Sequence, residues 1–173
     1  MYIKITFDDD DLKSLVKNLK DSGNEKKVLS SIGEALIPIN IDRHRREVNP
    51  NEKPWAKLSK LTLATKRKRF MLRESGEMLS IHYQVFGDVL KIGSSDWKAA
   101  WHHFGTKKYQ IKPKNKKALA FGRKIGSGKK EFVRKHVNHP GLTAREIVGF
   151  EKLDREAAEN AIIDFYKSVV NNI

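Results

Sequence analysis

The sequence predicts an α+β protein: N-terminal helices, a central antiparallel β-sheet with an extended basic β-hairpin, and a C-terminal amphipathic helix packed on the sheet. Three observations carry that expectation. Leu12, Leu15, Val16 and Leu19, and then Val28, Ile32, Leu36 and Ile39, recur at helical spacing. Between residues 81 and 137 short β-branched and aromatic runs are broken by Gly87-Asp88 and by Gly126-Ser127-Gly128. From Asp154 onward Ala157, Ala161, Ile162, Phe165 and Val169 return to one helical stripe. A chain of 173 residues suits one domain with a real core. Its expected parts are an N-terminal strand and helices (1–48), a motif region and sheet (49–121), a basic hairpin (112–137) and a turn with the last helix (138–173).

Met1 to Phe7 alternates as a short strand does, and Asp8 to Asp11 then supply an N-cap and first-turn acids for the first helix. Ser22-Gly23-Asn24 ends that helix, and a second begins near Glu25. Pro38 is expected to kink this second helix or end its first half. The polar tail Asp42-Arg43-His44-Arg45-Arg46-Glu47 follows, and Asn49-Pro50 requires the helix to be over by Val48.

Trp55, Leu58, Leu61 and Leu63 are irregularly spaced, and Thr62 is a candidate cap for a helix over 64–72, with a turn at Gly76. Ile81–Phe86 and Val89–Ile92 flank Gly87-Asp88 as the arms of a tight hairpin. Ile81, Tyr83 and Val85 share one face; whether Val89 with Lys91 or Leu90 with Ile92 faces inward is left open. Gly93 to Asp96 leads into a short aromatic helix or bend over Trp97–Phe104. Tyr109–Ile111 and Ala118–Phe121 read as strands, and Phe132–Val137 as the return arm of a ribbon with its tip at Gly126-Ser127-Gly128. His139-Pro140-Gly141 turns the chain, and Asp154 is the expected N-cap of the last helix.

The net charge of +14 is concentrated. Lys107 to His136 holds twelve Lys or Arg against the single acid Glu131, while the rest carries 23 basic and 20 acidic residues. Such a segment attracts polyanions in a salt-sensitive way, or is a loop kept solvated by lysine. The tract Lys66-Arg67-Lys68-Arg69 offers the same two readings. With no cysteine, disulfides and thiolate metal sites are excluded, and a cytosolic setting is expected. No run is apolar enough to span a bilayer, and the opening residues do not read as a signal peptide.

Motifs for chemistry are sparse. The adjacent His102 and His103 point in different directions on any regular element, and no His-x-x-x-His pair occurs. Gly122-Arg123-Lys124-Ile125-Gly126-Ser127-Gly128-Lys129-Lys130 differs from a phosphate loop, because Lys130 stands where the hydroxyl belongs and a strand follows. Trp55, Trp97 and Trp101 suit either base stacking or anchoring of a core or subunit contact. Neither an enzyme, a metal nor a cofactor is expected.

A larger pattern lies in the order of several motifs. Pro50-Asn51-Glu52-Lys53-Pro54-Trp55-Ala56-Lys57-Leu58, then Thr62, Lys66, Ser75-Gly76 and Leu79, resemble the phage virion morphogenesis family, the tail-completion or head–tail joining proteins of Mu-like and related tailed phages. The resemblance continues through Val89–Gly93, through Ala99-Ala100-Trp101-His102-His103-Phe104-Gly105, and through Pro140-Gly141-Leu142-Thr143-Ala144-Arg145-Glu146-Ile147-Val148-Gly149. It covers roughly Ile32 to the C-terminus. Glu52 stands where the family pattern has glycine, and Glu146-Ile147 replaces its Pro-Phe.

The resemblance implies a structural subunit that joins or finishes a phage tail, forming a homo-oligomeric ring, a hexamer by family analogy, around the DNA channel. Its implied partners are itself, tail tube, terminator or head connector proteins, and passing double-stranded DNA, with no membrane. Assembly is expected in the bacterial host cytoplasm and residence in the virion. On this reading Pro50, Trp55, Leu58, Thr62, Lys66, Gly76, Gly93, His103, Gly105, Pro140, Gly141, Arg145 and Gly149 are structural motif positions. Lys112, Lys114, Lys116, Lys117, Arg123, Lys124, Lys129, Lys130, Arg134 and Lys135 are the candidate contacts to DNA or to a neighbouring subunit. The alternative is a non-specific nucleic-acid-binding module using segment 107–136.

Overall fold

The computed structural model describes residues 24–65, 70–73, 80–125 and 128–170. The strand and first helix expected before Asn24, the tract 66–69, the Gly76 turn and most of the ribbon's glycine-rich tip lie outside them.

Helix α1 (Glu25–Arg46) is the axle of the fold. Its buried stripe is Val28, Leu29, Ile32, Gly33 and Leu36, continued by Asn40, Arg43 and His44. Pro38 does not end the helix, which runs through it unbroken. An interior proline costs about 3 kcal/mol or more, and here the stripe is packed on both sides of Pro38, enough to offset that loss. The helix closes where expected: Glu47 takes a left-handed φ of 60° and its N–H reaches the Arg43 and His44 carbonyls.

A short helix α2 (Lys60–Thr65) follows. Its cap is Ser59 rather than Thr62: Ser59 Oγ accepts from the Thr62 N–H at 3.1 Å. A cap side chain satisfies the amide three residues on, so the serine upstream has the better position.

Strands β1 (Ile81–Phe86) and β2 (Val89–Ser94) form the expected hairpin, with Phe86 paired to Val89. Gly87 supplies the positive φ of 58° that the two-residue loop demands. Pairing of Tyr83 with Ile92 and Val85 with Leu90 settles the inward face. Leu90 and Ile92 are buried there with Ile81, against α1. Gly33 lets the two elements close up, since any side chain at that position would strike the Tyr83 ring.

Helix α3 (Lys98–Phe104) buries Ala99 and Ala100. Four strands follow before the last helix: β3 (Tyr109–Ile111), β4 (Leu119–Ile125), β5 (Gly128–Arg134) and β6 (Val137–His139). The α+β class stands, but the single sheet expected over 81–121 is three separate two-stranded antiparallel ribbons, β1–β2, β3–β6 and β4–β5. Helix α3 diverts the chain after β2, and each ribbon is closed by its own partner. The basic hairpin is also shorter than the expected 112–137. Its return arm stops at Arg134, because Val137 pairs with Ile111 in the β3–β6 ribbon.

Helix α4 (Lys152–Val170) packs on α1, and α1 in turn covers the β1–β2 hairpin. The expected seat of the last helix on the sheet is therefore taken by α1. Buried Ala158 and Ile162 join Val28, Leu29, Ile32, Leu36, Trp55, Ile147 and Val148 in one core. Among the described residues no helix is long and apolar enough to cross a membrane.

Candidate functional site

The motif positions converge on a lock at the C-terminal end of α1. Arg43 is buried, and its Nη1 donates to both carboxylate oxygens of Asp154, at 2.8 and 2.7 Å, while Nε donates to Glu52 Oε1 at 3.1 Å. Asp154 is fully buried, and its Oδ2 also accepts from the Glu151 N–H at 2.8 Å. It thus caps α4 from the third helical position, reaching back to the residue before the helix, rather than as the N-cap itself. One carboxylate joins the end of one helix to the start of another.

Trp55 fills the space beside this pair. Its Nε1 donates to the Glu146 carbonyl at 3.0 Å, and the edge of its ring meets His44 at 5.1 Å between centroids. His44 is completely buried and neither ring nitrogen has a hydrogen-bond partner among the described residues. Burial, aided by the Arg73 guanidinium, pushes its pKa down to about 4. Glu52 is held below the usual carboxylate range by Arg46 and Arg43.

The segment 141–149 is stitched to the same lock. Arg145 donates from Nε and Nη2 to the Ala56 carbonyl, at 3.1 and 2.9 Å, and its own N–H reaches the His102 carbonyl at 2.7 Å. His103 Nδ1 accepts from the Ile147 N–H at 3.1 Å, so this nitrogen is the unprotonated one, and burial lowers the ring's pKa. Gly149 donates to Asn40 Oδ1 at 3.3 Å and lies against the Pro50 ring, with no room for a Cβ. Gly105 (φ 71°) and Gly141 (φ 90°) are left-handed and pressed against the Leu142 and Thr106 carbonyls respectively.

So Pro50, Trp55, Leu58, His103, Gly105, Gly141, Arg145 and Gly149 are brought together. Gly93 lies apart, buried in β2 opposite His82, Thr62 is exposed on α2, and Pro140 is exposed at the β3–β6 ribbon. Lys66 and Gly76 fall outside the described residues. Asn40, Arg43, His44 and Asp154, which complete the lock, were not singled out as a group by the sequence reading. Their signal was present: 36, 40, 43 and 44 extend the apolar stripe of α1 at helical spacing.

The basic candidates lie elsewhere. Lys112, Lys114, Lys116 and Lys117 are exposed along the bend leading into β4, and Arg134 and Lys135 are exposed at the end of β5. The backbone register sets position 123 opposite 130 and 124 opposite 129, so basic residues occupy both sides of the ribbon at Arg123, Lys124, Lys129 and Lys130. The β4–β5 ribbon makes no substantial contact with any other described element. A third surface is aromatic: Trp97, Trp101 and Phe104 on α3 are each more than half exposed. Among the described residues no cluster of His, Asp and Glu gathers as a metal site requires.

The model of the phage virion morphogenesis family matches residues 7–167. The chain belongs to that family. Its motif resemblance is therefore a family trait, and the lock is where those motifs meet in this member. The one departure in the Pro50–Leu58 motif has a visible consequence. Glu52, in the place of the family's glycine, adopts a left-handed φ of 60° and is pinned there by Arg43 and Arg46. No curated protein and no solved structure matches the chain.

Proposed function

We propose that this virion morphogenesis protein is a non-enzymatic coupling subunit, acting in tail completion or head–tail joining as a ring around the DNA channel. The observation that supports it is the division of the molecule. The ionisable residues of the lock, His44, His103, Arg145 and Asp154, are committed to internal contacts, while cations and large aromatics are presented outward. A ring needs two different surfaces on one copy, each meeting the other on its neighbour. The exposed bend Lys112–Lys117 suits a channel lining, where lysines neutralise phosphates without reading sequence.

On this reading the subunit folds in the host cytoplasm, joins tail tube, terminator or connector proteins, and remains in the virion. The test is to add purified chain to phage particles assembled without it. Restored infectivity with the protein retained in the particle supports the coupling role; unaltered titre at saturating protein removes it. The exposed lysines also favour a second reading, a non-specific nucleic-acid binder. That one predicts salt-sensitive binding to any duplex and no effect on particles.

A further inference from the structure

We propose that the β4–β5 ribbon of one copy docks on the α3 aromatic face of the next copy, with Trp97, Trp101 and Phe104 as the receiving surface. This deepens the ring reading above and rests on it. Trp97, Trp101 and Phe104 are 55 %, 52 % and 67 % exposed, and large aromatics clustered in this way are the commonest anchors of protein contacts. The two indoles meet edge to face at 4.7 Å, which leaves ring faces open to a partner.

The face is rigid before any partner arrives. Ala99 and Ala100 are buried beneath it, the His102 carbonyl is held by Arg145, and His103 by Ile147. A preorganised surface loses little entropy on binding.

Its electrostatics ask for a cation. Aromatic faces attract Lys and Arg, and Lys98 Nζ already lies 5.8 Å from the Trp97 ring centre. The Asp96 carboxylate at the start of α3 is nine-tenths buried and leaves Oδ2 without a hydrogen-bond partner. The charge of exposed Glu146 acts on His103 of the same helix. Lys98 and the buried Arg145 are the opposing charges.

The ribbon is the complementary piece. Its arms of seven residues span about 23 Å, and it makes no substantial contact with any other described element. At its base, where Ala120 pairs with Val133 and Leu119 with Arg134, it carries Val133, 59 % exposed, next to exposed Arg134 and Lys135, an apolar tooth with cations beside it. The bend lysines 112–117 stay available to the channel.

The absence of cysteine from the sequence makes the contact testable by disulfide trapping. Copies carrying only Phe104→Cys are mixed with copies carrying only Val133→Cys and added to particles assembled without the protein. Any disulfide joining the two kinds is between copies. The expected result is restored particles in which the joined species exceeds, by about tenfold, that of a control mixture with Ile163→Cys in place of Phe104→Cys. Trp101→Ser, at a half-exposed site, should fold yet lose about tenfold in incorporation, with Trp101→Phe retaining it. Restored particles without enrichment over the Ile163 control overturn the contact while the ring reading stands. Restored particles in which formaldehyde joins the ribbon to DNA alone overturn it in favour of the channel. If the wild-type chain restores nothing, the ring reading fails and the contact fails with it.

Discussion

The lock and the ribbon are made from the same kinds of residue and behave oppositely. At the end of α1, Arg43, Glu52, Asp154 and Arg145 are tied by several bonds each, to partners as far as 111 residues away in the chain. Along β4–β5, the basic positions sit on a two-stranded ribbon that makes no substantial contact with any other described element. A charge that is buried must be paired, and once paired it fixes the geometry around it. A charge left outside keeps its field for something else to use. The family motifs fall mainly in the lock, so they report chiefly how this protein holds its shape; the aromatic face of α3 falls partly within them, through Trp101 and Phe104, and the basic ribbon and bend lie outside them.

The sharpest way to break that contrast is to remove the shared carboxylate. Asp154→Ala leaves Arg43 buried with only Glu52, and uncaps the Glu151 amide at the start of α4. Loss of one partner of a buried pair typically costs about 3–5 kcal/mol. A urea midpoint lowered accordingly is expected, whereas Lys116→Ala, on the exposed bend, should move it by less than about 0.5 kcal/mol. Equal effects at the two positions would erase the distinction.

Acid probes the same lock through His44. Its folded pKa of about 4 lies below its ordinary 6.5, so the unfolded chain takes up the proton first as pH falls. The stability that the neutral, buried ring contributes is complete above about pH 6.5 and is lost progressively down to about pH 4, on the order of 3 kcal/mol in all. His102 and His103 are lowered in the same sense. The measurement is therefore the difference between wild type and His44→Phe, whose stability should fall less over that range. Parallel curves would mean that His44 is not the group responsible.

Much of the fold was legible in the sequence, and the misses share a cause. The hairpin at Gly87-Asp88 could be read from local pattern because its turn and its alternation agree. Arg43 and His44 carried only a partial signal: they fall on the register of the α1 stripe, but in a basic run ending a helix they look like solvated residues, and the distant Asp154 and Trp55 bury them. Likewise Val137 continues the hydrophobic run of β5 in sequence, yet its partner is Ile111, chosen by a pairing that no local pattern encodes. Lys112, Lys114, Lys116 and Lys117 could be placed on an exposed bend, because a dense run of lysines cannot be buried without partners that the neighbouring sequence lacks.

Glu52 gives a smaller and more discriminating effect. A non-glycine residue held at positive φ costs on the order of 1 kcal/mol or more, but here the side chain pairs with Arg43 and Arg46. Glu52→Gly relieves the backbone and loses both pairs, so a net change within about 1 kcal/mol is expected. Glu52→Ala loses the pairs and keeps the strain, and should be the less stable of the two by about 1 kcal/mol. A glycine variant less stable than the alanine variant would show that the left-handed conformation is not what the family's glycine is for.

A small effect on stability should come from the largest excision. Deleting Pro113–Arg134 removes the whole β4–β5 ribbon and joins Lys112 directly to Lys135. Ile111 and Val137 are already paired in β3–β6, so Lys112, Lys135 and His136 become a three-residue hairpin loop, a common length for such a connection. No other described element makes substantial contact with β4 or β5, and shortening a loop changes closure entropy by only about 1 kcal/mol. The deleted chain should keep its urea midpoint within that margin and fail to enter particles. A chain that unfolds on this deletion would place the ribbon in the body of the fold after all, because a segment that carries only surface cannot take the core with it.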